Sequence, residues 1–415
     1  MLDGSTVPLE WAVWPARYME AVMNRIRGLS RRGFVGGAAT ALGYLGLKPG
    51  ADLWGATTST RRFSAFGQQT YDYDSYAKLA SNENPYGPTD VMMDAMNMAW
   101  KYSMRYGYPD GDIQEKIAES HGVEPENILL GAGSGEILRA MGLTYLEPRK
   151  KVVGVEPSYS SVYRHASGLK AEPLLLPLNE DYTQNIPAMI RATNRNRRDL
   201  GFVYLCNPNN PTGLAVPQNE VRQLLDGIPE DMPVLIDEAY HHFVQDPRYA
   251  TAEPYVKEGR RVVIARTFSK IYGMAALRIG YALAPADMIR EMRNYTTGSV
   301  NCLARWGASA ALGDPDSETR VLDITTRLRN NTSTALQNMG YDVIPSETNF
   351  FMVHTGRPVR EVQAAFREKG VLVGRPFPPM LDHLRVSIGT EEEMDRFMTA
   401  WKEIFPGMAA TGNNG

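Results

Sequence analysis

Val262-Val-Ile-Ala265 leads into Arg266-Thr-Phe-Ser-Lys-Ile-Tyr-Gly-Met-Ala-Ala-Leu-Arg-Ile-Gly280, a short β-branched run followed by a loop that carries a lysine between two arginines. A run of that length and composition predicts a fully buried strand, and open α/β sheets collect their ligands in the crevice at strand carboxyl ends. Lys270 therefore falls where a ligand would lie, with Ser269 beside it and Arg278 eight residues on. A lysine that attacks a carbonyl needs its amine desolvated and its pKa lowered. Ser269 and Arg278 add donors for an anion at the same place. Taken alone, the Ser-Lys pair also reads as a solvated loop.

Outward from this stretch the pattern repeats. From about Tyr71 the chain alternates short apolar runs with amphipathic stretches, and strands are predicted at 127–130, 151–155, 200–206, 234–236, 262–265 and 278–283. That alternation predicts an α/β fold, a mostly parallel sheet with flanking helices. After about Asn301 a long helical stretch precedes short runs at 341–344, 349–353, 371–373 and 384–388, the pattern of a smaller α+β domain. The expected division is a signal region at 1–56, an arm and part of the small domain at 57–105, a large cofactor domain at 106–300, a C-terminal small domain at 301–408, and a Gly/Asn-rich tail at 409–415 expected to fray.

With 415 residues the chain exceeds what one core normally fills, so two packed domains are expected. Its 44 basic and 47 acidic residues, net −3, leave no electrostatic footprint for nucleic acid. Cys206 and Cys302 cannot form a disulfide framework, and the six histidines, His241-His242 included, show no metal-ligand spacing. No metal site is expected, and both residue types read as structural.

Three more strand ends carry chemistry. Leu235-Ile-Asp-Glu-Ala-Tyr240 places Asp237 at a strand's carboxyl end with Tyr240 just beyond. A buried carboxylate opposite a protonated pyridine forms a charge-assisted hydrogen bond and keeps the ring cationic, though Asp237 alone also reads as a cap. Cys206-Asn-Pro-Asn-Asn-Pro-Thr-Gly213 is a proline-stiffened loop that can aim Asn210 at a ring hydroxyl, or a plain turn. Gly131-Ala-Gly-Ser-Gly-Glu136 lies between a strand and a helix and can cradle a phosphate. It also half resembles a dinucleotide fingerprint, with Glu136 in place of the third glycine.

Taken together, Asn210, Asp237, Tyr240, Ser269, Lys270 and Arg278 resemble, in order and spacing, the cofactor set of the fold-type I pyridoxal-phosphate-dependent aminotransferases of class I/II, over about residues 75 to 400. Leu79-Ala-Ser-Asn-Glu-Asn-Pro-Tyr-Gly-Pro88, Tyr106-Gly-Tyr-Pro-Asp110 and Pro157-Ser-Tyr-Ser-Ser-Val-Tyr163 are similar to the histidinol-phosphate aminotransferase branch. The resemblance implies pyridoxal 5'-phosphate held by Lys270 as a Schiff base, with the same lysine moving the substrate proton. It implies Asp237 on the ring nitrogen, Tyr240 and Asn210 on the ring hydroxyl, and Tyr159 stacked on the ring. Gly133, Ser134, Gly135, Ser269 and Arg278 would bind the phosphate, joined by Tyr108 from the second subunit of a homodimer. Asn84, Arg375 and Arg385 would bind substrate, Arg385 through its carboxylate and Arg375 through a second anion. Gly135 departs from the branch, which usually has an acidic residue there, and Val373-Gly-Arg-Pro-Phe-Pro-Pro379 carries extra glycine and proline around Arg375.

The implied reaction is a ping-pong transfer of an amino group from an amino acid or histidinol phosphate to a 2-oxo acid such as 2-oxoglutarate. An aromatic amino acid aminotransferase, a decarboxylase or an amino acid oxidase on the same fold, and a non-catalytic binding protein are the competing readings.

The N-terminus carries a second resemblance. No acidic residue occurs from Ala21 to Ala51, and Ser30-Arg-Arg-Gly-Phe-Val35 precedes a weakly apolar stretch to Leu47 that holds five glycines in fifteen residues. That stretch is shorter than the roughly 20 apolar residues of a membrane span. The order of segments resembles a twin-arginine export signal, which implies export of a folded enzyme; the alternative is a cytoplasmic protein with a basic amphipathic helix.

Overall fold

A computed structural model describes residues 72–406. The expected signal region, with Arg31 and Arg32, and the C-terminal tail at 409–415 lie outside the described residues.

Among the described residues twelve strands run in chain order as β1 (Ala77–Leu79), β2 (Ile128–Gly131), β3 (Lys151–Glu156), β4 (Glu172–Pro177), β5 (Leu200–Cys206), β6 (Val234–Asp237), β7 (Val262–Thr267), β8 (Gly280–Leu283), β9 (Val343–Ile344), β10 (Phe350–His354), β11 (Val371–Val373) and β12 (His383–Ser387). Seven of them form one sheet in the order β2-β8-β7-β6-β5-β3-β4. All neighbours in it are parallel except β8, which runs against both β2 and β7. The central strands β5, β6 and β7 are buried along their whole length, as the β-branched and aromatic runs require of a sheet covered on both faces. Two apolar cores lie against the sheet, one built around Ile128, Val203 and Ile236, the other around Leu129, Phe202 and Leu235.

Two details depart from the expected strands. β4 has no counterpart among them, because Pro173 and Pro177 punctuate it; at the sheet edge it needs hydrogen bonds on one side only. β8 begins at Gly280 rather than Arg278, whose backbone is left-handed (φ 57°) and turns the chain into the strand.

The smaller unit of structure is an antiparallel sheet in the order β12-β10-β9 beside a parallel pair, β1 with β11. The β1–β11 pair draws the start of the described chain into the C-terminal part. A third apolar core holds these strands against the helix Glu391–Ile404, with Phe366, Phe397 and Trp401 at its centre. That helix starts from a capping box in which Thr390 and Glu393 satisfy each other's backbone N–H groups. The cores change over within the 24-residue helix Pro315–Asn338, where Val321 belongs to the first core and Leu328 and Leu336 to the third. The change falls past the expected boundary at 301: the helix Cys302–Ala311 sends Ala304, Ala308 and Ala311 into the first core. Among the described residues no helix is long and apolar enough to cross a membrane.

Candidate active site

The registers Cys206↔Asp237 and Asp237↔Ala265 align the carboxyl ends of β5, β6 and β7, so the loops that follow them open on one side of the sheet. A cavity of about 250 Å³ lies there, lined by Asn210, Asp237, Tyr240, Ser269, Lys270 and Arg278, with Ser81, Glu83, Ser134, Gly135 and Tyr159 also in its wall. Residues from six separate stretches thus converge on one volume.

Asp237 is 3% exposed. Its Oδ1 accepts the Ala239 N–H at 3.3 Å and its Oδ2 accepts the Tyr204 hydroxyl at 3.4 Å. Burial pushes its carboxyl up to about 6, against the pull of those donors and of Lys270. A cationic partner in the cavity would reverse that shift. Lys270 donates through Nζ to the carbonyls of Asn82 (3.0 Å) and Ser81 (3.3 Å). Desolvation, with Arg385 and Arg278 adding repulsion, brings its amine down to about 8, so a useful fraction is neutral near pH 7.

Tyr240 is buried, and its hydroxyl oxygen accepts from Asn82 Nδ2 (2.9 Å) and Asn210 Nδ2 (3.2 Å). With both acceptor positions taken, its own proton is free to be donated into the cavity. Arg385, on β12, donates from Nη1 to Asn210 Oδ1 (2.7 Å) and from Nη2 to the Ala80 carbonyl (2.6 Å). Its Nε is buried without a partner, and among the described residues no carboxylate lies within ion-pair distance. Burial draws this guanidinium down to about 10. A buried cation so placed calls for an external anion.

At the other end of the cavity, Gly133 (φ 79°) brings the chain to the helix Ser134–Tyr145, whose first N–H groups have no intrahelical acceptors. A Cβ on Gly133 would fall 2.2 Å from Arg278 Nη2, so only glycine lets the guanidinium approach this turn. Arg278 donates to Ser269 Oγ (3.4 Å), the Ala275 carbonyl (2.9 Å) and the Ala132 carbonyl (3.3 Å). The result is a turn of helix N–H groups, Ser269 and Arg278 whose donors suit a phosphate. Glu136 braces it from behind, accepting from Ala132 N (2.6 Å), Thr297 N (2.7 Å) and the Thr297 hydroxyl (2.8 Å). That role explains an acid in place of a third glycine.

Tyr159 stands at the cavity mouth, held by the neighbouring loop: Ser158 Oγ donates to Asn209 Oδ1 (2.8 Å) and Asn209 Nδ2 to the Pro157 carbonyl (3.1 Å). Asn84, Tyr108 and Arg375 do not line this cavity, and Tyr108 is expected at the phosphate of a second subunit rather than here. Asn84 spends its amide on the Ile271 carbonyl (2.7 Å) and its oxygen on Tyr86 N (3.0 Å), while Asn82, two residues earlier, faces the cavity wall. Tyr108 donates to the Val300 carbonyl (3.0 Å) in a separate surface cleft. Arg375 is exposed, its guanidinium 4.2 Å from the centre of the Phe377 ring, and that ring's centre is 4.7 Å from the Arg385 guanidinium, so the two arginines share one ring. Asn82, Tyr204, Asn209 and Ser387 join the site through contacts that no sequence motif marks. Asn82 lies within the Leu79–Pro88 stretch; its backbone is left-handed (φ 55°), which asparagine tolerates, and Ser387 Oγ pins it by accepting its N–H and donating to its Oδ1, both at 2.8 Å.

Residues 74–400 match the family described as Aminotransferase class I and II. The chain belongs to this family. This aminotransferase is 37% identical over 333 residues to the histidinol-phosphate aminotransferase of Symbiobacterium thermophilum, covering 78% of this chain and 89% of that protein. It is 35% identical over 327 residues to the aromatic amino acid aminotransferase of Thermobifida fusca, again covering 78% and 89%. Its fold matches the crystal structure of the histidinol-phosphate aminotransferase from Sinorhizobium meliloti in complex with pyridoxal-5'-phosphate, with a TM-score of 0.75 and 24% identity over 86% of this chain and all of that one. The glycine-lined cradle, the buried Asp237 and the partner-free Nε of Arg385 suit a phosphorylated, cationic ring and an anionic substrate in this aminotransferase.

Proposed function

We propose that this aminotransferase holds pyridoxal 5'-phosphate at Lys270 and moves an amino group from an amino acid or histidinol phosphate to a 2-oxo acid, 2-oxoglutarate foremost, in ping-pong half-reactions. The observation that carries this reading is the buried, carboxylate-free guanidinium of Arg385 bonded to the same Asn210 that reaches Tyr240, beside the lowered amine of Lys270.

Each residue then has a task. The helix Ser134–Tyr145, Ser269 and Arg278 hold the phosphate; Asp237 faces the ring nitrogen and Tyr240 the ring hydroxyl. When bound, the cofactor supplies an electron sink for the substrate Cα. Lys270, neutral in part near pH 7, takes the Cα proton and returns it. Arg385 fixes the substrate carboxylate, or the anion in its place, through its planar fork. Arg375, which shares the Phe377 ring with Arg385, stands on the substrate side for a second anion, and Asn84 ties its own segment to the loop after β7 through the Ile271 carbonyl.

The enzyme is a homodimer in this reading. The support is an exposed apolar surface around Trp100 (58% exposed), Met104 (74%) and Tyr106 (104%), next to the Tyr108 that a partner's phosphate site would use. Export through Ser30-Arg-Arg-Gly-Phe-Val35 is also part of the proposal and rests on the sequence alone. A reporter fused after residue 70 that reaches the periplasm only with Arg31 and Arg32 intact supports it; a reporter retained in the cytoplasm overturns it.

The test of the reaction is the visible spectrum of the reconstituted enzyme as histidinol phosphate, an aromatic amino acid and glutamate are added singly. Loss of the cofactor band with one of them, with its keto product and no carbon dioxide or peroxide, identifies the donor. Carbon dioxide or peroxide as product would establish a decarboxylase or oxidase instead.

A further inference from the structure

Beside the cavity, one residue past the Asp237–Ala265 pair at the ends of β6 and β7, lies a buried ionic cluster that the proposed reaction does not use. Glu238 follows Asp237, and Arg266 lies four residues before Lys270 on the adjacent strand. Arg266 Nε and Nη2 both donate to Glu238 Oε2, at 3.1 and 2.6 Å, and Nη2 also reaches Glu253 Oε1 at 2.8 Å. Glu238 Oε1 accepts the Ala252 N–H at 2.7 Å. Glu253 is in turn 3.3 Å from His121 Nδ1, whose Nε2 is 2.8 Å from the Tyr281 hydroxyl. Arg266 and Glu238 are 3% and 1% exposed.

Glu238 itself reaches no part of the cavity wall, so a purely packing role would be met more cheaply by apolar residues of similar volume. What distinguishes its place is its neighbour: it is the carboxylate next in sequence to the one that must stay ionised. We propose that Arg266 is a positioning residue that neutralises Glu238 and locks the ends of β6 and β7 together, so that Asp237 remains a carboxylate facing the cofactor ring nitrogen. This rests on the cofactor reading above.

The groups that act on Asp237 are the Ala239 N–H and Glu238 from its own connection, the Tyr204 hydroxyl from β5 and Lys270 from the loop after β7, while the uncharged Cys206, Tyr159 and Tyr240 lie close enough to feel its charge. Of these, Lys270 is the single cation, and Glu238 acts to raise the Asp237 carboxyl. Without Arg266 that opposition is uncompensated. Asp237 would then take a proton at higher pH and lose its hold on a cationic ring. His241 and His242, stacked with centroids 3.7 Å apart beside the cluster, are held neutral by burial and by Arg266, so they add no competing charge.

The test is the affinity of the apoprotein for pyridoxal 5'-phosphate, read by fluorescence as a function of pH, in wild type, Arg266→Met, Glu238→Gln and the double variant. Affinity falls as pH drops through the Asp237 midpoint. Arg266→Met moves that midpoint up by about one pH unit or more, and Glu238→Gln moves it down. The double variant returns it toward wild type. A merely structural role would weaken binding in both single variants with no shift of opposite sign. Should Arg266→Met fail to fold, Glu238→Gln decides alone: a downward midpoint supports the assignment, and an unchanged or raised one overturns it. A wild-type apoprotein that binds no pyridoxal phosphate would instead sink the cofactor reading.

Discussion

Arg385 and Asn210 are joined by a 2.7 Å hydrogen bond from Nη1 to Oδ1, which couples the residue placed to take substrate to one placed to hold the cofactor ring. The link crosses from β12 to the loop after β5, so the two parts of the fold meet at the reacting centre. Removing the guanidinium loses a charge-assisted contact worth about 1.5–3 kcal/mol. Arg385→Ala is expected to lower kcat/KM by about 10- to 100-fold, mostly through KM, while the cofactor band persists. Steady-state kinetics beside a spectrum check this; an unchanged KM would remove Arg385 from the substrate site.

Lys270 governs how the apoprotein captures its cofactor. Because its amine is lowered to about 8, the neutral form accumulates as pH rises through that value. Stopped-flow rates of pyridoxal phosphate capture are expected to climb between roughly pH 7 and 9 and then level off. A midpoint near that of an ordinary lysine would show that the site does not tune the amine.

Asp237 makes the empty site costly to fold. Its folded-state carboxyl, raised to about 6, lies above the usual range near 4, so the folded state binds more protons between those values and stability falls as pH rises through them. Above pH 6 the cost is about 3 kcal/mol. The Asp237→Asn apoprotein is therefore expected to melt higher than wild type at pH 7.5, with the gap closing near pH 4, and to bind cofactor poorly. Calorimetry across that range checks the sign. A wild-type apoprotein that gains stability from pH 4 to 7.5 relative to the variant contradicts it.

Gly133 permits the approach of Arg278. Gly133→Ala imposes both a left-handed alanine and an overlap with Nη2, and the guanidinium must withdraw. Cofactor affinity should drop by about tenfold or more, as expected when one charge-assisted phosphate contact is lost, with little change in the pH dependence of binding. Equilibrium titration with pyridoxal phosphate checks this, and wild-type affinity would deny the cradle its role.

Strand ends were the legible part of this sequence. Asp237, Tyr240, Asn210, Ser269 and Lys270 each follow an apolar run that ends abruptly in polar residues, and the sheet register brings them together. What was not legible depends on contacts between distant segments. Asn82 and Asn84 sit two apart in one polar stretch, and only the closure of β12 over it, through Ser387, selects Asn82 to hold the Tyr240 hydroxyl. β1 is three residues long and gains its identity from pairing with β11, nearly 300 residues later. Arg266 and Glu238 look like ordinary polar residues beside a motif until their strands are laid side by side.

The most direct test of the central claim is to reduce the reconstituted enzyme with borohydride, digest it and locate the trapped cofactor by mass spectrometry. The account predicts a single pyridoxyl group on Lys270, absent from Lys270→Ala, which should also lose turnover. A cofactor trapped on another lysine, or turnover retained by Lys270→Ala, would contradict it.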